Sequence, residues 1–274
     1  MSLTVGDAVA VLNRLFPPET AESWDHVGLA IGDVNAPCRK VLFAVDPCEA
    51  TVREAIDGHA DLLVTHHPLY LRGTHSVATT SAKGRWTAEL IRHGVAQFSA
   101  HTNADVAAST RALAELFGVR LERPLSESGI GGVGTLAAPV TLREFAHRVA
   151  DALPAVPAGI LVGGDLDALV STVALCSGSG DSFLDAANAA GADVYVTADL
   201  RHHPASDHLW NGGCALVCGT HWATEWPLLG LMEQWFRDGV RESYGSNVDT
   251  EISTTPTDPW VARLAAAPSY ETMR

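Results

Sequence analysis

Four of the chain's twelve histidines, His66, His67, His101 and His221, follow directly on short apolar runs that read as β-strands. Open α/β sheets bind ligands beyond the carboxyl ends of their strands, so this placement points to a site. Inside a strand the neighbours His66 and His67 would face opposite ways, whereas past the strand end they can converge. Pro68 biases His67 toward an extended backbone. Two carboxylates extend the group: Asp105 and Glu225 each lie four residues after a strand-end histidine, in His101-x-x-x-Asp105 and His221-x-x-x-Glu225. On a first helical turn, positions i and i+4 share a face, so His221 and Glu225 can reach one ion together.

Neutral imidazoles and carboxylates are ligands for zinc, iron, manganese, cobalt and nickel alike, and a site with several of both can hold two ions about 3.5–4 Å apart. Each residue taken alone has a plainer role. The histidines could be hydrogen-bonded structural groups, Asp105 could cap the helical segment 107–117, and Glu225 could be an exposed carboxylate. The convergence of His66, His67, Asp105, His221 and Glu225 favours a metal site. His75, in the loop after the His-His pair, could reach the pocket. His59, His93, His147 and His208 fall on helical or turn segments and read as solvated.

Other groups offer less. Five cysteines (Cys38, Cys48, Cys176, Cys214, Cys218) form no C-x-x-C pair, which suggests neither a disulfide framework nor a zinc ribbon. Cys214 and Cys218 flank Ala215-Leu216-Val217 and read as buried strand thiols. Gly129-Ile130-Gly131-Gly132-Val133-Gly134 superficially suggests a phosphate loop, but it precedes a strand-like segment and does not link a strand to a helix, so it reads as a turn.

The elements that must position these residues alternate between helical segments and short apolar strands, the pattern of α/β sheets that are mixed or mostly parallel. A helix over 5–16 with Thr4 as N-cap stops before Pro17-Pro18. A strand over 40–45, a helix over 50–58 and a strand over 61–65 make a β-α-β unit. A long loop over 71–81, a helix over 84–93 and a strand over 95–100 follow. Displaced by 132 positions, Val41-Leu42-Phe43-Ala44 falls on Val173-Ala174-Leu175-Cys176 and Asp61-Leu62-Leu63-Val64-Thr65 on Asp193-Val194-Tyr195-Val196-Thr197. The next strands correspond too, and both copies end in a histidine followed four residues later by a carboxylate. Two related α/β lobes with a metal site at the cleft between them are therefore expected. The Gly- and Ser-rich stretch 122–135 places a boundary, giving residues 1–125 with 245–274 as one lobe and 126–244 as the other.

The composition excludes several classes. A length of 274 residues suits about two domains at roughly 150 residues each, and 47% hydrophobic residues suffice for packed cores. No 18-residue apolar run could span a bilayer. A net charge of −14, with no basic run, makes nucleic acid a poor partner. The amino terminus has no basic segment followed by an apolar one, so a cytoplasmic protein is expected.

The chain also resembles the GTP cyclohydrolase I type 2 homologs, dinuclear-metal proteins also named after a yeast interacting factor. Six ordered motifs carry the resemblance: Glu22-Ser23-Trp24-Asp25-His26-Val27-Gly28-Leu29, Thr65-His66-His67-Pro68-Leu69, Ser99-Ala100-His101-Thr102-Asn103-Ala104-Asp105, Gly178-Ser179-Gly180-Asp181-Ser182-Phe183, Thr197-Ala198-Asp199-Leu200-Arg201-His202-His203 and His221-Trp222-Ala223-Thr224-Glu225. The ligands it implies are the same five residues. It further highlights His101, Asn103, Asp199 and His203, with His101 and His203 as candidate catalytic or ligand-orienting groups. It implies a ring-shaped homohexamer, and a last strand over 247–253 that returns the chain to the first lobe. His26 stands where the family usually has Asn.

Together these features lead to a dinuclear metal-dependent hydrolase of a nucleotide or related small molecule. In the GTP cyclohydrolase-like form that the resemblance implies, water adds at guanine C8, formate leaves and dihydroneopterin triphosphate forms. The competing reading is a non-catalytic metal-binding, metal-chaperone or ring-shaped scaffold protein, whose ligands would look the same in sequence.

Overall fold

The computed structural model describes residues 3–264. Helix α1 (Val5–Leu15) starts where Thr4 and Asp7 exchange hydrogen bonds: the Asp7 amide donates to Thr4 Oγ1 at 3.1 Å and the Thr4 amide to the Asp7 carboxylate at 2.9 Å. This capping box satisfies two otherwise orphaned donors, and Pro17 and Pro18 follow the helix end. The chain then runs through β1 (Gly28–Ile31), β2 (Lys40–Ala44), α2 (Glu49–Asp57), β3 (Leu62–Thr65), α3 (Ala82–Arg92), β4 (Ala96–Ser99) and the single turn α4 (Thr102–Ala104). A π-helical turn, Asp105–Ser109, leads into α5 (Thr110–Phe117). The next stretch contains β5 (Val119–Pro124), β6 (Gly132–Thr141), α6 (Leu142–Ala152), β7 (Leu161–Gly163), β8 (Leu169–Ser179), α7 (Leu184–Ala189), β9 (Val194–Ala198), α8 (His202–Trp210), β10 (Ala215–Gly219) and α9 (His221–Glu225). Helix α10 (Leu228–Tyr244) and β11 (Asp249–Ile252) close the described chain.

Two sheets result, with strand orders β1-β4-β3-β2-β11 and β5-β6-β8-β9-β10-β7. In the first, β11, β2, β3 and β4 are parallel neighbours and β1 is antiparallel; in the second, β8, β9 and β10 are parallel and the other pairings antiparallel. Because helices cover both faces, alternate residues of one strand enter different cores. Val41, Phe43, Leu62 and Val64 pack with α1 and α10, while Leu42, Ala44 and Leu63 pack with α2 and α3. The second sheet repeats the arrangement. Val173, Leu175, Val194 and Val196 meet α5 and α6, while Ala174, Cys176 and Tyr195 meet α7.

The internal repeat extends to the hydrogen bonds. Val41 pairs with Leu62 and Val173 with Val194, each the other displaced by 132 positions, and the registers of β3 with β4 and β9 with β10 correspond likewise. Asp61 accepts from the amides of Arg39 and Lys40 through one carboxylate oxygen. Its counterpart Asp193 accepts from those of Ser171 and Thr172.

The cores divide the chain at other points than 125 and 245. Leu113, Phe117 and Val119 already belong to the second core, and Leu228, Met232, Phe236 and Val240 of α10 return to the first. The Gly- and Ser-rich stretch is the connection between the antiparallel strands β5 and β6, closed by bonds from the Leu125 amide to Gly131 O and from the Ser126 amide to Ile130 O. Hairpin turns use the residue types that mark linkers, which is why composition placed a boundary there. The glycine run thus ends this turn and, from Gly132, begins β6. Strand β11, within the expected 247–253, does pair with β2 of the first sheet. Among the described residues no helix is long and apolar enough to cross a membrane.

Candidate metal centre

Strand β3 ends at Thr65, and the amides of His66 and His67 remain bonded to Ala44 O and Val45 O, so the pair leaves the sheet still anchored to β2. The Thr65 hydroxyl donates to His67 O at 2.6 Å across the bend. From the other sheet, β10 delivers Thr220, the N-cap of α9, and the i,i+4 spacing sets His221 Nε2 2.9 Å from Glu225 Oε1. The two strand ends meet: His67 Nε2 lies 3.3 Å from His221 Nε2 and 3.1 Å from Glu225 Oε2, and His66 Nε2 lies 3.5 Å from Glu225 Oε1. Asp105, at the start of the π-helical turn, brings Oδ1 to 3.7 Å from His66 Nε2 and accepts a bond from Ser109 Oγ at 2.8 Å. Such insertions into a helix often mark functional sites.

Each ring is oriented by its second nitrogen. His66 Nδ1 donates to Ala100 O at 3.0 Å, His67 Nδ1 to Asp46 at 2.7 Å, His101 Nδ1 to Asp25 at 2.9 Å and His221 Nδ1 to Asp199 at 2.6 Å. A proton held on Nδ1 leaves the Nε2 lone pair facing inward, the arrangement that metal-ligating histidines adopt. His66 is fully buried and its Nε2 has no hydrogen-bond partner; Glu225 Oε2 is likewise buried, faced by the His67 ring at 3.1 Å. Buried polar groups left unpaired are costly, and a cation is what would satisfy this set. The residues fit two overlapping metal-binding groups, His66 with His67 and His101, and His67 with His221 and Glu225.

Without a cation, protons take its place. Burial opposes charge on His66, His67, His221 and Glu225, but Glu225 and Asp105 hold the His66 imidazole above its ordinary value, and Glu225 with Asp46 holds His67 well above it. Against the same burial, Glu225 and Asp199 raise His221 to about 10. The three imidazoles in turn keep Glu225 well below the usual carboxylate range despite its burial. Asp25, partly buried and bonded to His101 and Thr102, is lowered as well.

The structure therefore brings together His66, His67, His221 and Glu225, sets Asp105 beside His66, and adds His101 to the donor set. His203 lies apart: it is exposed on α8, its ring 5.0 Å from that of His202, and it does not line the cleft. His75 is exposed and also outside the cleft lining. Asn103 is buried and serves the fold, its Nδ2 donating to Phe16 O at the end of α1. His59, His93 and His147 are exposed, but His208 is buried, with Nε2 donating to Cys214 O. Gly212, at φ 79°, lies in the turn that returns Cys214 to the ring, its Sγ 3.6 Å from His208 Nε2. Burial lifts the Cys214 thiol to about 11, and no cysteine joins the metal-binding groups among the described residues.

Sequence reasoning missed Asp46, and it quoted Gly178 within a motif without giving it a role. Asp46 sits just past the end of β2, the same strand-end position that marked the histidines, and that signal could have found it. Gly178 is at φ +61°, and a Cβ there would collide with Glu225 Oε1 and stand 3.2 Å from His221 Nε2. Above these groups opens a cleft of about 790 Å³, whose walls include Trp24, Lys83, Trp86, His101, Ser179 and Phe183.

Paired α/β lobes with strand-end histidines and carboxylates gathered at a cleft define the class of protein. More particularly, the chain belongs to the Duf34/NIF3 (NGG1p interacting factor 3) family, which it matches over residues 3–259. A Streptomyces coelicolor protein named GTP cyclohydrolase 1 type 2 homolog is 45% identical, the match covering 98% of each chain. Among solved structures, a Bacillus cereus protein related to NIF3 superposes with a TM-score of 0.86 at 22% identity, covering 95% of this chain and 99% of that one. A hypothetical protein of Staphylococcus aureus gives a TM-score of 0.82 at 26% identity, with the same coverage.

Proposed function

We propose that the protein is a metal-dependent hydrolase of a nucleotide or related small molecule, working with two divalent cations held by His66, His67, Asp105, His221 and Glu225. The observation that carries this reading is the inward convergence of the His66, His67 and His221 Nε2 atoms on the buried Glu225 carboxylate, with His66 Nε2 left without a hydrogen bond. When bound, such cations supply a water acidic enough to ionise near neutral pH and positive charge for a developing oxyanion. His101 adds a base at the cleft wall: its Nδ1 is bonded to Asp25, which leaves Nε2 free to accept a proton. The Lys83 ammonium provides a positive charge for a phosphate. Trp24, 55% exposed and edge-on to the His101 ring, offers a surface for a planar base.

The name carried by the relatives makes GTP the first substrate to test, with formate release as the readout. We further propose a cytoplasmic protein and, from the family resemblance, a homohexamer; sedimentation would check the assembly. The deciding experiment measures metal per chain by elemental analysis for wild type, Glu225→Ala and Asp105→Ala, then assays GTP turnover. Near two ions in wild type, fewer in both variants, and formate release supports the reading. Bound metal without turnover of any nucleotide favours the metal-binding scaffold instead, and failure to take up zinc, manganese, iron or cobalt removes the metal mechanism.

A further inference from the structure

The carboxyl-terminal segment 253–260 bridges the two halves of the site. It leaves β11 with the Ser253 amide bonded to Phe43 O at 2.8 Å, and Trp226 Nε1, just beyond α9, donates to Ser253 O at 2.8 Å. Thr257 then donates its hydroxyl to Asp46 Oδ2, the oxygen that Asp46 does not use for His67. The next residue, Asp258, accepts from the Trp222 amide at 3.2 Å through Oδ1 and from the Thr220 hydroxyl through Oδ2. One dipeptide thus fixes the carboxylate that orients His67 and the first turn of the helix that carries His221 and Glu225. Thr257 and Asp258 both line a second cavity of about 700 Å³, which shares Asp46, His67, His221 and Thr257 with the walls of the main cleft.

We infer that Thr257 and Asp258 are positioning residues of the metal centre, setting the separation of His67 from His221 and Glu225; this rests on the metal reading above. With both Asp46 oxygens engaged, the carboxylate has one orientation, and His67 keeps its Nε2 aimed at the shared position. With Thr220 and Trp222 tied to Asp258, α9 cannot swing away from β3 without breaking two hydrogen bonds.

The test titrates metal-free full-length protein with cobalt(II), following visible absorption and competition with a chelator. Thermal unfolding of each metal-free variant is recorded beside it. Thr257→Val keeps the shape and removes the donor; Thr257→Ser restores the donor. The valine variant and Asp258→Ala are expected to bind cobalt about 10–100-fold more weakly with an altered spectrum, while the serine variant binds like wild type. Wild-type affinity and spectrum in Thr257→Val, or serine no better than valine, overturns the proposal and leaves the metal reading standing. Wild-type protein that takes no cobalt overturns both.

Discussion

His221 shows how protons and cations would compete for the proposed site. An imidazole in the unfolded chain titrates near 6.5, and in the metal-free fold His221 is raised to about 10. A group raised on folding contributes its full stability below about pH 6.5 and loses it as pH climbs through about 10. Stability of the metal-free protein from this residue should therefore fall across that window, as urea titrations at pH 6, 8 and 10 would show. Cations need the same imidazole neutral, so metal affinity should rise from pH 6 to 8 and binding should release protons. Calorimetry in two buffers of different protonation enthalpy reads that release directly, and identical heats in both would contradict it. Gly178→Ala makes a sharper demand. The added methyl collides with Glu225, and a left-handed backbone costs a non-glycine residue about 1–2 kcal/mol. Metal per chain should fall strongly in a protein that still unfolds cooperatively, whereas full metal content would mean Glu225 has room to retreat.

Among the elements, α1 tests stability apart from the site. Thr4→Ala removes the cap and should cost about 1 kcal/mol, seen as a lower urea midpoint with unchanged metal content. The strand-end histidines could be recognised from sequence because a parallel strand buried on both faces is a continuous apolar run, and its end is where polar residues resume. Helix α9 was visible through its i,i+4 pair. The π-helical turn was not: 105–109 has an ordinary helical composition, although the spacing had already grouped Asp105 with His66. Nor did local composition distinguish a domain linker from the β5–β6 hairpin, since glycine and serine serve both.

At the scale of the whole molecule, the proposed ligands come from both sheets, so a cation would bind only the folded, joined arrangement. Metal at a hundred times its Kd should add about 2.7 kcal/mol per site. Removal by a chelator should lower the unfolding temperature by several degrees, and scanning calorimetry with and without the chelator checks it. An unchanged temperature would mean the ions do not span the two lobes. The sequence by itself determined the repeat, because equal spacing of apolar runs 132 residues apart dictates equal strand pairing, and it determined which histidines and carboxylates end those strands. Tertiary structure alone decided which partners hold them. Asp46 lies 21 residues before His67 and Asp25 lies 76 before His101, and no local pattern encodes a hydrogen bond between residues so far apart. For the same reason His203, placed near the site by its motif, lies on the outside of α8. A helix face is set by what packs beneath it, and that packing exists only once the two sheets have formed.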